Sequence, residues 1–175
     1  MKRPITYAAP RAFGCVHELR MGDEQLLAVA RTDLTVAIQE SGATLTNGAL
    51  PRIQVAPGFE QVFVNLISNA IKYHRRGVAP EIRIDARADG DEWIFSVRDN
   101  GIGIGPVIRI TSSSVPAAAW TRDPRQRIGL ATVRKIVEAN GGSIWLESEP
   151  GKGSTFFFRL PRPSHNPLAK TAQES

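Results

Sequence analysis

The chain has a single cysteine in 175 residues, and that scarcity excludes a scaffold built on internal disulfides. Cys15 has no second thiol to pair with and no indicated catalytic partner, and it fits a reducing compartment. No apolar run approaches the length of a bilayer span, and the first residues lack the long apolar stretch of a secretory leader. A cytoplasmic chain without membrane contact is the corresponding expectation. Aromatic residues make up only 7% of the chain and do not alternate with its basic residues, so a stacking platform for nucleic acid is not expected. The net charge of +5 is scattered over Arg75/Arg76, Arg122/Arg125/Arg127 and Arg159/Arg162, which reads as solvated surface.

What is present is enough apolar content, 42%, for one domain with a real core. Residues 1–17 carry no clear period and read as a lead-in; the domain is expected over 18–161 and a disordered tail over 162–175. Glu18–Met21 suggests a short strand, and Asp23 is placed to cap a helix over Glu24–Gln39. Thr44–Thr46 and Arg52–Val55 read as two short strands around the turn-forming Asn47-Gly48, and Pro57 as the opening of a helix that runs to Tyr73. Alternation over Glu81–Ala88 and Glu92–Arg98 marks a hairpin. The regular pattern then stops until Ile128, where a helix runs to the Asn140-Gly141-Gly142 stop, and Ser143–Glu149 with Ser154–Leu160 closes the domain as a second hairpin. Interleaved helices and hairpins predict an α/β (α+β) two-layer sandwich, with a mixed, mostly antiparallel sheet and helices on one face.

Two segments carry chemistry. In Asn65-Leu66-Ile67-Ser68-Asn69-Ala70-Ile71-Lys72-Tyr73, the apolar Val62, Phe63, Leu66, Ile67, Ala70 and Ile71 recur in steps of three and four. Asn65 and Asn69 stand one turn apart, so both amides project the same way and suit oxygen coordination of a hard cation such as Mg²⁺. The second segment, Asp99-Asn100-Gly101-Ile102-Gly103, leaves the end of a strand. Its glycines let backbone approach a flat ligand closely, and an ionised Asp99 accepts hydrogen bonds without donating, as reading the exocyclic amine of adenine requires. Either segment alone has a bland reading, as a capped core helix or an ordinary turn.

Taken in order, the two segments resemble the N box and G1 box of the catalytic ATP-binding domain of sensor histidine kinases, in the wider gyrase, Hsp90, histidine kinase and MutL superfamily. The stretch Ile128-Gly129-Leu130-Ala131, Val133, Lys135-Ile136-Val137-Glu138, Gly141-Gly142, Ile144-Trp145, Ser148 and Pro150-Gly151-Lys152-Gly153-Ser154-Thr155-Phe156 is similar to the closing pattern of that family, most of all to kinases of the bacterial phytochrome-like group. The resemblance implies a Bergerat fold with ATP and Mg²⁺. Asn69, assisted by Asn65, would hold the metal; Lys72 would meet the phosphates; Tyr73 would stack by adenine; Asp99 would bind its amine; Gly101, Gly103 and Gly129 would line the site. The plainer alternatives are a Tyr73 packed on the sheet edge and a Lys72 at a solvated helix end. Related ATPases carry a glutamate base near the position of Gln61, and a glutamine cannot take that proton, which agrees with transfer to another acceptor.

The resemblance also implies a histidine-bearing dimerisation domain and a response regulator as partners. None of His17, His74 and His165 stands in the expected acceptor helix, so the chain reads as part of a kinase or as a partner in trans, with no catalytic residue assigned. Residues 105–127 depart from the family's F box and lid, and Arg125-Gln126-Arg127-Ile128-Gly129-Leu130 stands in place of the glycine-rich G2 box, keeping one glycine of three. Arginine keeps positive charge but obstructs close backbone approach to phosphate. Codons permitted for this segment can spell the family's box and lid in shifted frames; resequencing the locus tests whether small frameshifts scrambled it. The expectation is an ATP-binding kinase domain, truncated and impaired. The alternatives are a degenerate, non-catalytic nucleotide-binding or interaction module and, opposed by the C-terminal hairpin, a stand-alone serine kinase.

Overall fold

The computed structural model describes residues 19–104, 108–110 and 124–162. The expected lead-in, the tail beyond Arg162 and most of the 105–127 segment lie outside the described residues. The chain runs β1 (Leu19–Gly22), α1 (Asp23–Asp33), α2 (Thr35–Ser41), β2 (Thr44–Asn47), β3 (Arg52–Val55), α3 (Glu60–Lys72), β4 (Glu81–Asp89), β5 (Glu92–Asp99), β6 (Ile108–Ile110), α4 (Pro124–Ala139), β7 (Ser143–Glu149) and β8 (Gly153–Pro161).

The two alternating runs pair as foreseen. β4 and β5 are antiparallel with Ile84 opposite Val97, and β7 and β8 with Ile144 opposite Phe158. β8 joins the hairpins by pairing with β5, giving a six-stranded sheet in the order β2-β4-β5-β8-β7-β6. The β2–β4 pair is parallel and its other neighbours are antiparallel, so the sheet is mixed as expected. One face is apolar. Ile82, Ile84, Phe95, Val97, Ile144, Leu146, Phe156 and Phe158 on it pack against Leu26 and Ala30 of α1, Val62, Phe63, Leu66 and Ile67 of α3, and Leu130, Val133 and Val137 of α4. At its centre the Phe158 ring stacks on Phe95 at 4.8 Å and meets Phe59 and Phe63 edge-on.

Five expectations need correction. The single helix over Glu24–Gln39 is two helices, broken at Leu34 (φ −103°, ψ 11°). Thr35 Oγ1 bonds the carbonyls of Arg31 and Thr32, and Thr32 Oγ1 that of Ala28, so hydroxyls compete with the helical ladder where the axis turns. The strands flanking Asn47-Gly48 do not pair with each other: β2 runs parallel to β4, and β3 pairs with β1 in a separate two-stranded sheet. Gly48 N–H continues the ladder by donating to Ile84 O, and β3 turns Ile53 and Val55 into the core. α3 begins at Glu60 rather than at Pro57 because Gly58 adopts φ +91°, outside the helical region, and Tyr73 is its cap rather than its last turn. β6 is a strand that the apparently irregular stretch after Asp99 concealed. α4 begins at Pro124, four residues before Ile128.

Candidate functional site

α3 builds one wall. Its six apolar residues are buried, which fixes its rotation and leaves the half-buried Asn65 and Asn69 on the flank that faces α4. A Cβ on Gly129 would stand 3.6 Å from Asn65 Oδ1 and 3.9 Å from Asn69 Nδ2, so this glycine of α4 lies directly against both amides. Asn69 Nδ2 is buried without a hydrogen-bond partner among the described residues. Such an atom is costly unless a ligand supplies the partner. The two ends of a carboxamide exchange by a simple flip, so Asn69 can present its oxygen at this place instead. An oxygen donor of this kind, beside Asn65, fits a hard divalent cation completed by phosphate oxygens. Among the described residues there is no cluster of three His, Cys, Asp or Glu side chains that would hold a metal by itself.

The second wall leaves β5. Asp99 Oδ1 accepts from two backbone N–H groups, Gly101 at 2.8 Å and Ser154 at 3.2 Å. Both bonds fall on one oxygen, and Oδ2 is left without a partner among the described residues. Burial pushes the Asp99 carboxyl above the usual carboxylate range, and the two N–H bonds offset that only in part. Gly101 is a glycine for a steric reason, since a Cβ there would come within 2.6 Å of Tyr73 O. A Cβ on Gly103 would collide with the Glu149 carbonyl. Ile102 N–H donates to Tyr73 O at 3.0 Å and Gly151 N–H to Ile102 O at 2.8 Å, tying the end of α3, the Asp99 turn and the β7–β8 turn together. Arg75 braces the same junction, with Nε on Asn100 O at 2.9 Å and Nη1 on Gly151 O at 3.4 Å.

Asn69, Tyr73, Asp99, Gly103, Ile104 and Ser154 line one cavity of about 20 Å³. That is room for about one water, so a planar base enters only as the walls part. A larger cavity of about 430 Å³ opens among Thr46, Arg83, Arg98, Asp99, Asn100 and Lys152. Two of its three cations are already neutralised, Arg83 by Asp85 and Lys152 by Glu149, each at 2.7 Å, and Asn65 and Asn69 do not line it. Asp99 borders both cavities, and the smaller one, which adds Asn69 and Tyr73, is the candidate site.

Of the sequence-predicted residues, the structure brings Asn65, Asn69 and Gly129 together on one side, and Asn69, Tyr73, Asp99 and Gly103 around one cavity on the other, with Gly101 behind Asp99. Lys72 is exposed at the end of α3, its Nζ 4.9 Å from the centroid of the Tyr73 ring, so its charge lies over that aromatic face. Arg125, Gln126 and Arg127 fall in the first turns of α4, so that backbone is helical rather than an open glycine loop. The sequence assigned no role to Arg75, and Ser148 and Ser154 stood in the closing pattern without a role in the site. The alternation of β7 and β8 could have found the two serines, because it puts them on the apolar face.

Comparison with known proteins places these features in context. Residues 54–164 match the family described as histidine kinase-, DNA gyrase B- and HSP90-like ATPase. Cyanobacterial phytochrome A of Nostoc sp. is 43% identical over 141 residues, covering 79% of this chain and 18% of the relative. The methanogenesis regulatory histidine kinase FilI of Methanothrix harundinacea is 40% identical over 117 residues, covering 65% of this chain and 13% of the relative. The chain thus spans less than a fifth of the length of these curated relatives. Among solved structures, full-length ShkA in complex with AMPPNP superposes with a TM-score of 0.63 at 27% identity, covering 83% of this chain and 31% of that one. The catalytic domain of histidine kinase ThkA superposes with a TM-score of 0.61 at 22% identity, over 81% of this chain and 94% of that one, a likeness of fold. No helix among the described residues is long and apolar enough to cross a membrane.

Proposed function

The chain belongs to the family of histidine kinase-, DNA gyrase B- and HSP90-like ATPases, and on that premise we propose that it is the ATP-binding catalytic domain of a sensor histidine kinase. In this reading it holds ATP with Mg²⁺ and offers the γ-phosphoryl group to a histidine on a separate dimerisation domain, from which a response regulator receives it. Transfer breaks the bond between the γ-phosphorus and the β–γ bridging oxygen, forms a bond to an imidazole nitrogen and releases ADP. The observation that carries the reading is Asp99: two backbone N–H groups fix Oδ1, and Oδ2, without a partner among the described residues, can accept from an amine at the cavity Asp99 shares with Asn69 and Tyr73.

Each residue of the chain then has a positional task. Asp99 selects the base, Tyr73 borders it, and Gly101 and Gly103 keep backbone close enough to shape the slot. Asn69 and Asn65 offer amide oxygens to Mg²⁺, and Lys72 stands at the end of the same helix as a mobile cation for phosphate. Mg²⁺, when bound, neutralises phosphate charge and fixes the geometry of the transferring group. No side chain of this domain is asked to move a proton. Gln61 fits that division of labour, since its amide cannot act as a base toward water.

A second reading, a module that holds nucleotide without transferring phosphate, is favoured by one observation: α4 runs through Arg125, Gln126 and Arg127, where backbone would otherwise wrap phosphates. Calorimetric titration with a non-hydrolysable ATP analogue and Mg²⁺, beside an Asp99→Ala variant, tests the ATP site common to both. Binding in the wild type that is lost in the variant supports it; equal binding, or none, removes it. Formation of phosphohistidine on an added dimerisation domain then separates kinase from module.

A further inference from the structure

Ser148 and Ser154 are the buried polar residues of the described core, 7% and 6% exposed. They stand opposite each other on β7 and β8, with their Oγ atoms 2.9 Å apart and either able to donate. Buried hydroxyls are retained only when bonded, and the partners here lead to the ligand cavity. Ile104 N–H donates to Ser148 Oγ at 2.7 Å, and Gly153 O lies 3.2 Å from the same oxygen. Ser154 donates its own N–H to Asp99 Oδ1 and lines the cavity beside Asp99.

Each hydroxyl has one proton and two lone pairs, so two arrangements are possible. If Ser148 donates to Gly153 O, Ser154 must donate to Ser148, and its oxygen then shows only lone pairs to the cavity. If Ser148 donates to Ser154, the Ser154 proton is released toward the cavity. Both arrangements keep the 2.9 Å bond between the serines and differ in the contact to Gly153 O, which at 3.2 Å is longer than the usual O–H···O range, so little is lost when Ser148 donates to Ser154 instead.

We propose that Ser148 is a positioning residue for base selection: by donating to Ser154 it turns the Ser154 proton into the cavity, so that an acceptor, Asp99 Oδ2, stands beside a donor, Ser154 Oγ–H. This inference rests on the ATP-site reading and deepens it. An acceptor beside a donor complements the amine and the adjacent N1 lone pair of adenine. A purine with a carbonyl and an N–H at those two places meets like with like.

The test is the preference of the full chain for ATP over 1-deaza-ATP, in which a C–H replaces N1, measured by equilibrium titration. The wild type should prefer ATP by about three- to tenfold, the worth of one hydrogen bond. Ser148→Ala should reduce that preference to within about twofold, and Ser148→Thr, which restores the hydroxyl, should recover it. Ser148→Cys keeps the size and weakens the hydrogen bond, and should lose the preference in the same way should the alanine variant fail to fold. A merely structural serine predicts something different: both nucleotides weakened together with the preference intact, which overturns the proposal. Asp99→Asn separates the levels of failure. If it binds ATP as well as the wild type, the ATP-site reading falls and this inference with it. If it binds worse but the wild type does not distinguish the two nucleotides, only the role of Ser148 falls.

Discussion

The base-reading side of the site and the α4 side are built in contrasting ways. Around Asp99, three separate segments, the end of α3, the turn after β5 and the β7–β8 hairpin, are joined by short backbone bonds and by glycines that admit no side chain. At α4 the contact with Asn65 and Asn69 rests on Gly129, and the nearest atom to a Cβ there is 3.6 Å away, an ordinary van der Waals distance. The glycines of the base-reading side therefore have almost no freedom to change, whereas position 129 on the α4 side has room for a methyl group.

The largest break in this contrast should come from Gly153→Ala. Gly153 has φ +97°, and a Cβ would collide with the Asp99 carbonyl. Backbone strain and collision together should cost about 2–4 kcal/mol in urea unfolding and abolish nucleotide binding. Asp99→Asn should raise stability slightly at neutral pH, where the buried carboxylate is costly, but weaken binding of adenine nucleotides by about 10- to 100-fold, from a lost charge-assisted bond of about 1.5–3 kcal/mol. The amide oxygen keeps the two N–H donors, which turns the NH₂ toward the amine of the base. The same variant should narrow the gap between ATP and the inosine nucleotide, which has a carbonyl at that place.

A smaller effect is the pH dependence of binding. The folded-state pKa of Asp99 is raised by burial, so its ionised form disfavours the fold, and that cost is relieved as pH falls from above the folded pKa toward the unfolded value of 3.8. Binding runs the other way, because the amine needs an ionised acceptor. Affinity should decline as acidification enters the range above 3.8, and the decline should be absent in Asp99→Asn, measured as the difference between the two titrations at each pH. The smallest effect should be Gly129→Ala on the α4 side, which should stabilise the chain by about 0.5–1 kcal/mol, as alanine does within a helix.

The legible parts of the sequence were those set by local pattern. The buried stripe of α3 fixed where Asn65 and Asn69 point, and alternation fixed the β4–β5 and β7–β8 hairpins. What stayed hidden depends on distant partners. Thr44–Asn47 pairs with a strand more than thirty residues later, and Arg52–Val55 with one more than thirty residues earlier, so the turn chemistry of Asn47-Gly48 pointed to the wrong neighbour. The break at Leu34 depends on threonine hydroxyls reaching back along the helix, which apolar periodicity does not register. At the site, Asp99 and its glycines were visible as a motif. Ser148 and Ser154 were visible in the closing pattern, and alternation puts them on the apolar face, but what they bond there depends on Ile104 and Asp99, far away in the chain.

The contrast between the two sides is tested most directly by the affinities of adenosine, ADP and ATP, each measured with Mg²⁺ on the same chain. If base recognition is intact and phosphate coverage is weakened, adenosine should bind measurably and the two added phosphate steps should together gain less than about 2 kcal/mol, roughly a factor of 30. An adenosine that does not bind, with affinity arising wholly from the phosphates, would contradict the account.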